Sequence, residues 1–262
     1  MRRGYKYVEV ADDGGARTSV DSSPDEFAET MGYGRATYAS REEFLAAHDE
    51  RWIIELHEVL AELLEPGRTI LSIGSGAGEH EARLVEAGYD VVATDLVPGA
   101  LEDARRLFPG LRTAQFDVFR DEPPVAPDDV LVTGLDFYFD DADTRRLFTR
   151  LRELVPIGGR LVFALRYREN PGTWAIDRVC SPALAALRRA RGARLARKAH
   201  GFRRTERQIT AFATAAGFRA ARVRRAGFGV ELTRLGIVSE RAAQLDRRLG
   251  LFTAATVFEF LG

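Results

Sequence analysis

Cysteine and lysine are scarce in this chain of 262 residues, and long apolar runs are missing. The single cysteine, Cys180, cannot form an internal disulfide, and it excludes a zinc site built from several cysteines. No apolar stretch reaches the roughly 18 residues of a membrane span, and none follows the basic N-terminus as the core of a secretory signal would. We therefore predict no membrane span and expect a cytoplasmic location.

The charges nearly balance overall but are unevenly distributed. The formal net charge is −1, yet thirteen arginines and lysines and one acid, Glu206, lie between Cys180 and Arg225. Such a segment is typical of a solvated surface, of a site for an anionic acceptor, or of an RNA-binding surface. The pI near 6.5 argues against RNA, as does the lack of a segment that resembles an RNA-binding module. Nucleic acid is therefore not the expected partner.

The N-terminal part predicts an arm followed by a helical cap. Residues 1–30 are polar and rich in Gly, Ser and Asp, which indicates an irregular arm with a short strand near residues 5–10. The predicted cap covers residues 31–66. Within it, Ser40 and Glu43 have the spacing of a capping box, and apolar residues recur at helical spacing over residues 49–64.

Beyond the cap, strand-like and helix-like segments alternate. The predicted strands are residues 69–73, 90–94, 112–116, 129–134 and 160–165, and the predicted helices are residues 78–87, 99–107 and 141–154. Such alternation predicts parallel strands joined by right-handed crossovers. The expected fold is a doubly wound α/β sheet with helices on both faces, in one domain over residues 31–262.

The turn after the first of these strands is the most informative segment. Gly74, Gly76 and Gly78 follow an apolar run directly. Glycine permits a positive φ and close approach of a ligand, and the next helix presents free N–H groups to an electron-rich ligand. Asp95 lies 21 residues beyond Gly74, at the end of the next strand, where a carboxylate suits a ribose diol. The segment therefore predicts a nucleoside-containing cofactor.

The spacing of the glycines narrows the choice of cofactor. A dinucleotide fingerprint, G-x-G-x-x-G, requires a glycine at position 79, where this chain has Glu79. A carboxylate beside the turn repels a pyrophosphate but not a cation. A phosphate-binding loop is also missing, because no lysine follows the glycines. The pattern favours a nucleoside with positive charge and no phosphate, and S-adenosylmethionine fits that description.

Four segments, in this order, resemble motifs of the class I S-adenosylmethionine-dependent methyltransferases. They are the glycine turn and residues 91–95, 114–118 and 158–163. The resemblance runs from about Tyr33 to Gly262. It implies a Rossmann-like, mostly parallel sheet of seven strands, whose last two strands, near residues 220–225 and 255–260, form an antiparallel hairpin at the sheet edge. The chain departs from the family pattern at Ser72, because members often carry an acid two residues before the first glycine.

The resemblance implies a set of cofactor-binding residues. It gives Asp95 to the ribose, places Asp117 and Val118 beside the adenine, and lets a tyrosine of the N-terminal segment close over the cofactor. Because position 72 is not acidic, Glu79 or backbone carbonyls would hold the amino-acid end. The predicted cofactor-binding residues are Tyr38, Gly74, Ser75, Gly76, Gly78, Glu79, Asp95, Leu96, Asp117, Val118 and Leu135.

The acceptor side is predicted from the segments after the fourth and fifth strands. Asp136 could orient or deprotonate an acceptor or simply cap a turn, and Tyr138 could form an aromatic wall. Residues 168–205 resemble a lid-like insertion, with a basic helix near residues 183–199, and His200 at its end is the best histidine candidate for a base. No acid after the fifth strand complements Asp136, so no metal is expected.

The favoured function is methyl transfer from S-adenosylmethionine to an O, N or C atom of a small molecule, for example in specialised metabolism. The cap and the insertion motivate this hypothesis, because both could enclose a small acceptor. One alternative is a methyltransferase that acts on RNA, protein or a carrier-bound substrate through the Arg-rich segment. Another is a non-catalytic S-adenosylmethionine-binding partner protein, which Ser72 mildly favours. Homo-oligomer formation stays open.

Overall fold

The protein is built around one large sheet with helices packed on it. The computed structural model describes residues 5–9, 38–47, 51–135, 138–165, 198–202, 204–227 and 255–262. In chain order the strands are β1 (Tyr5–Glu9), β2 (Thr69–Ile73), β3 (Asp90–Asp95), β4 (Arg112–Gln115), β5 (Asp129–Thr133), β6 (Arg160–Leu165), β7 (Lys198–Gly201), β8 (Arg219–Ala226) and β9 (Ala255–Leu261). The helices are α1 (Arg41–Ala47), α2 (Arg51–Leu63), α3 (Glu79–Glu86), α4 (Pro98–Leu107), α5 (Asp141–Leu154) and α6 (Glu206–Ala215).

The large sheet has seven strands in the order β4-β3-β2-β5-β6-β9-β8. The first five are parallel, whereas β9 runs antiparallel to β6 and β8 antiparallel to β9 at the edge. This arrangement confirms the predicted seven-stranded, mostly parallel sheet and its C-terminal hairpin. The strand order reverses between β2 and β5, and open α/β sheets bind their ligands beyond the carboxyl ends of the strands at such a point.

Both faces of the sheet are buried, and alternate residues of each strand enter opposite cores. On one face, Phe148 of α5 packs with Val132 of β5 and Phe163 of β6. On the other, Leu56 of α2 packs with Leu131 of β5. Because successive side chains of a strand point to opposite faces, a strand buried on both faces needs a continuous apolar run. The apolar runs therefore set the strand bounds, which differ from the predicted ones by at most one residue at either end.

Side-chain caps fix several helix starts. Half of the predicted capping box forms at α1: Ser40 Oγ accepts from Glu43 N at 3.2 Å, but Glu43 Oε2 accepts from Ala39 N at 2.8 Å, one residue before the cap. The α6 helix begins with a full capping box between Thr205 and Gln208. Among the described residues, no helix is long and apolar enough to cross a membrane.

A separate two-stranded sheet joins distant parts of the chain. Strands β1 and β7 pair antiparallel, with Tyr5 opposite Gly201 and Glu9 opposite Lys198. The predicted short strand near residues 5–10 is therefore confirmed. The predicted basic helix over residues 183–199 is wrong at its end, because residues 198 and 199 belong to β7, where pairing with β1 supplies their backbone hydrogen bonds. Residues 183–197 lie outside the described part of the chain.

Buried ion pairs close the amino ends of the central strands. Asp129, at the start of β5, is fully buried and accepts from Arg160 Nη2 and Arg68 Nε, both at 2.9 Å. Its Oδ1 also accepts from Arg160 N at 2.9 Å. The outer side of Arg160 contacts Glu65, with Nη1 and Oε1 at 3.0 Å. This cluster lies at the end of the strands opposite to the glycine turn.

Replacing Asp129 by asparagine should destabilise the fold strongly. The change removes the charge of the fully buried carboxylate that Arg160 and Arg68 share, and breaking one side of a buried pair costs about 3–5 kcal/mol. Urea denaturation of wild type and Asp129→Asn measures this loss. The matched control is Glu153→Gln, whose ion pair with Arg150 is exposed and should contribute about 0–1 kcal/mol. Equal losses in the two variants would contradict the role of burial at Asp129.

Candidate cofactor site

The turn between β2 and α3 has the conformation that the glycine spacing predicts. Gly74, Gly76 and Gly78 have φ angles of 74°, 57° and 76°, in the left-handed region that favours glycine. A β-carbon at Gly74 would lie 2.5 Å from Leu135 Cδ2, and one at Gly78 would lie 2.6 Å from Leu111 Cδ2. Both the backbone conformation and the tight packing therefore require glycine at Gly74 and Gly78.

Asp95 connects this turn to the one that follows β3. Its Oδ2 accepts from Gly76 N at 2.8 Å, and its Oδ1 accepts from Val97 N at 2.9 Å. The residue is buried, and burial raises the pKa of its carboxyl above the ordinary value, against the hydrogen bonds from the backbone. Each oxygen keeps lone-pair capacity for a further donor such as a ribose hydroxyl.

Beneath the turn, a second buried carboxyl lies beside Ser72, the position where family members often carry an acid. Ser72 Oγ donates to Glu81 Oε1 at 2.6 Å, and Glu81 is 1% exposed. Burial raises the pKa of Glu81 from 4.5 to about 7, and the charges of Asp95 and Glu79 act in the same direction, while the Ser72 hydrogen bond opposes them. The main chain of Ser72 is also fixed, because its carbonyl accepts from Thr94 Oγ1 at 2.7 Å.

Sequence reasoning missed Glu81, although a signal was present. Helix α3 buries Glu81 and Leu84 on its sheet-facing side, so an acid occupies a position where the helical pattern calls for an apolar residue. Glu79, which we predicted for the cofactor's amino-acid end, is instead partly buried and forms an ion pair with Arg83, with Oε1 and Nη2 at 3.4 Å.

The predicted adenine-side residues follow β4. Asp117 Oδ1 accepts from Phe119 N at 2.9 Å, and its Oδ2 forms an ion pair with Arg120 at 2.9 Å. Val118 is buried in the core that α5 covers. The structure therefore gives Asp117 a local turn-forming role, and its predicted place beside the adenine stays a prediction.

Apolar side chains border the turn on both sides. Leu135, which follows β5, lies against Gly74, and Tyr138 N donates to Leu135 O at 3.0 Å. Tyr138 packs with Leu96 on the cluster of Val97 and Ala100. The structure thus brings Leu135, Tyr138 and the segment after β3 together beside the glycine turn.

Tyr38 lies on the other side of the turn. It packs beside Ala77 on the core formed by α1, α3 and α4, and its ring meets that of Phe44 edge-on with centroids 5.1 Å apart. Arg106 Nη1 also donates to the Tyr38 carbonyl at 2.6 Å. The predicted position of Tyr38 near the glycine turn is therefore consistent with its packing.

Two of the predicted catalytic residues cannot be placed beside the turn. Asp136 lies outside the described residues, as does Tyr33. The backbone of His200 lies in β7, paired with β1. Their roles in catalysis stay predictions.

The polar groups around the turn fit a cationic nucleoside. No lysine, arginine or histidine in the described ranges forms an ion pair with Glu81 or Asp95. The two carboxyl groups beneath the turn therefore have no cationic partner there. Ser75 Oγ is buried and has no hydrogen-bond partner among the described residues, which leaves a polar atom for a ligand. Among the residues that the structure describes, no group of three or more His, Cys, Asp or Glu side chains could hold a metal ion.

Comparison with known proteins places the chain in a family. The family model of the O-methyltransferase domain matches residues 17–219. A search of the curated proteins finds no match.

Several solved methyltransferases share the fold. An O-methyltransferase family 2 protein from Planctomyces limnophilus, in complex with apigenin, is 17% identical over 79% of this chain and 57% of its own, with a TM-score of 0.53. Human N-acetylserotonin methyltransferase, in complex with S-adenosylmethionine, is 17% identical over 90% and 61%, with a TM-score of 0.52. The N-methyltransferase NodS from Bradyrhizobium japonicum, in complex with S-adenosyl-L-homocysteine, is 16% identical over 82% and 89%, with a TM-score of 0.53.

At these identities the structural likeness shows the fold. The chain spans only about three fifths of the length of the first two proteins. The family model, in contrast, covers most of the chain. The chain therefore belongs to the O-methyltransferase domain family and is an S-adenosylmethionine-dependent methyltransferase, as its glycine turn and the acid after β3 predict.

Proposed function

We propose that the enzyme methylates an oxygen atom of a small, largely apolar acceptor in the crevice beyond β2, β3 and β5. The observation that carries this proposal is the contrast between the two parts of the crevice. The glycine turn lies over the buried acids Asp95 and Glu81, whereas the adjoining surface is formed by Leu96, Leu135 and Tyr138. A cationic cofactor suits the first part, and a flat apolar acceptor suits the second.

The cofactor's nucleoside would lie between the turns after β2 and β3. We propose that Asp95 accepts hydrogen bonds from the ribose, while Gly74, Gly76 and Gly78 let the ligand approach the backbone. Asp117 and Val118 would flank the adenine. Tyr38 would cover the turn from its position beside Ala77.

Oxygen is the acceptor atom that the family favours, because the matching model describes an O-methyltransferase domain. When bound, S-adenosylmethionine supplies a methyl group made electrophilic by its sulfonium. The chain's contribution is to hold the acceptor oxygen in line and to exclude water. Asp136 and His200 are the proposed groups to take the hydroxyl proton, and Tyr138 would stack on the acceptor ring.

The described arginines support a small acceptor over a nucleic acid. Four arginines of the basic segment form ion pairs with acids of the same chain, which lowers the charge available for phosphates. These pairs are Arg204 with Asp141, Arg222 with Glu259, Arg224 with Glu62 and Arg225 with Glu206. Arg204 is also 1% exposed and stacks over Phe202 and Phe212, so it is a core residue.

Replacing Asp95 by alanine should weaken cofactor binding. The variant loses the charged acceptor for the ribose and the bonds to Gly76 N and Val97 N, so we expect a loss of about 1–3 kcal/mol in affinity for S-adenosylmethionine by titration calorimetry. Asp90→Ala is the control, because Asp90 begins the same strand and is exposed beside Arg112. Unchanged affinity in Asp95→Ala would show that the ribose lies elsewhere.

The acceptor class is tested by turnover. Wild-type enzyme with S-adenosylmethionine should form S-adenosylhomocysteine when supplied with apigenin or simpler phenols, and not with bulk tRNA. Tyr138→Phe should keep this activity, whereas Tyr138→Ala should lower kcat/KM for the phenol by about tenfold because the stacking surface is lost. Methylation of tRNA in preference to phenols would refute the small-acceptor proposal while leaving the cofactor site intact.

A further inference from the structure

The buried carboxyl of Glu81 contributes negative charge in the proposed function but has been given no specific role toward the cofactor. It comes from the first turn of α3, projects under β2 and is bonded to Ser72 Oγ at 2.6 Å. A buried carboxylate without a cationic partner is costly, and Glu81 has no such partner among the described residues. A hydrophobic residue of similar size would fill the same space without that cost.

Glu81 is connected to the cofactor turn through short hydrogen bonds. Ser72, which holds its carboxyl, is joined to Thr94 by the bond from Thr94 Oγ1 to Ser72 O. Thr94 O in turn accepts from Gly74 N at 2.8 Å and Ser75 N at 2.9 Å. The carboxyl is therefore linked, through Ser72 and Thr94, to the backbone of the glycine turn.

We propose that Glu81 is a positioning residue of the cofactor site, which supplies from helix α3 the negative charge that holds the amino-acid end of S-adenosylmethionine over Ser72 and Gly74, and which loses its proton as this cation binds. The inference rests on the proposed placement of the ribose at Asp95. With the ribose there, the rest of the cofactor extends over the glycine turn toward the end of β2. Its ammonium and sulfonium then compensate the charge that the protein leaves unpaired.

The surroundings of Glu81 explain why its proton can respond to the ligand. The charges that act on it are Asp95 on β3 and Glu79 on its own helix, and both disfavour ionisation. Helix α2 packs against α3, and its His57 has a pKa that is lowered by burial and then by Arg83; the charges that act on His57 do not include Glu81. Because the pKa of Glu81 is about 7, a nearby cation shifts it across neutral pH.

The charge coupling is measured by titration calorimetry at pH 7 in two buffers with different ionisation enthalpies. Compared with Glu81→Gln, the wild type should release about half a proton more when S-adenosylmethionine binds, because about half of Glu81 carries a proton at that pH. Glu81→Gln keeps an acceptor for Ser72 Oγ but cannot ionise, so its affinity should fall by about tenfold. Equal proton release and affinity in the two proteins would overturn the proposal.

Binding of a neutral ligand distinguishes an effect of the Glu81 charge from a structural effect on the turn. 5′-Methylthioadenosine shares the adenosine and the methylated sulfur of S-adenosylmethionine, but its sulfur is a neutral thioether and it has no amino-acid end, so Glu81→Gln and wild type should bind it alike. If Glu81→Gln weakened this ligand as much as S-adenosylmethionine, Glu81 would be a structural support of the turn and the proposal would fail. Glu86→Gln is the matched control, because Glu86 ends the same helix, half-exposed beside Arg41, and should change neither ligand.

Stability gives a ligand-free test of the buried proton. The pKa of Glu81 is higher in the folded protein than its ordinary value of 4.5, so the folded state binds more protons than the unfolded state between pH 4.5 and about 7. The contribution of Glu81 to stability therefore falls as pH rises through this window. Relative to wild type, Glu81→Gln should gain stability from pH 5 to pH 8, and a constant difference would contradict a protonated Glu81.

These outcomes are distinct from a failure of the proposed function. If S-adenosylmethionine did not bind wild type at all, the cofactor site itself would be wrong. Normal binding with no dependence on Glu81 would reject only the present inference. The choice of acceptor does not enter any of these measurements.

Discussion

The carboxylate of Asp95 is the interaction on which the cofactor crevice depends. By accepting from Gly76 N and Val97 N, it fixes the turns after β2 and β3 to one another. The parallel register of the two strands, with Ile73 opposite Thr94, brings these turns to the same edge of the sheet. The backbone of the glycine turn is therefore shaped before any ligand arrives, which lowers the ordering cost of binding.

Buried acids have cationic partners at one end of the sheet and lack them at the other, among the described residues. At the amino ends, Asp129 is paired with Arg160 and Arg68, so its charge is satisfied within the fold. At the carboxyl ends, Asp95 and Glu81 are buried with backbone and hydroxyl donors only, among the described residues. Unpaired buried charge reduces stability and is typical of functional sites. The asymmetry supports the proposal that a cation binds at the carboxyl end.

Much of the fold follows from local sequence, and part of the site does not. Strands buried on both faces require unbroken apolar runs, and a positive φ favours glycine. The sheet and the turn at Gly74 can therefore be predicted from the sequence. Strand β7 could not be predicted, because its partner β1 lies roughly three quarters of the chain away. Glu79 and Glu81 are both acids in the first turn of α3, and only the place of Glu81 on the apolar side of the helix distinguishes them in the sequence. Tertiary packing then buries Glu81 and leaves Glu79 beside Arg83.

The central claim is that a cationic nucleoside lies on the glycine turn, above the buried acids. A crystal structure with S-adenosylhomocysteine tests it most directly. The account predicts the ribose hydroxyls within hydrogen-bond distance of Asp95 and the amino group over Ser72, on the side of Glu81. Beside the thioether sulfur, it predicts a space bordered by Leu135 and Tyr138. A ligand bound away from the Gly74–Gly78 backbone, or with its amino group turned away from Glu81, would contradict the account.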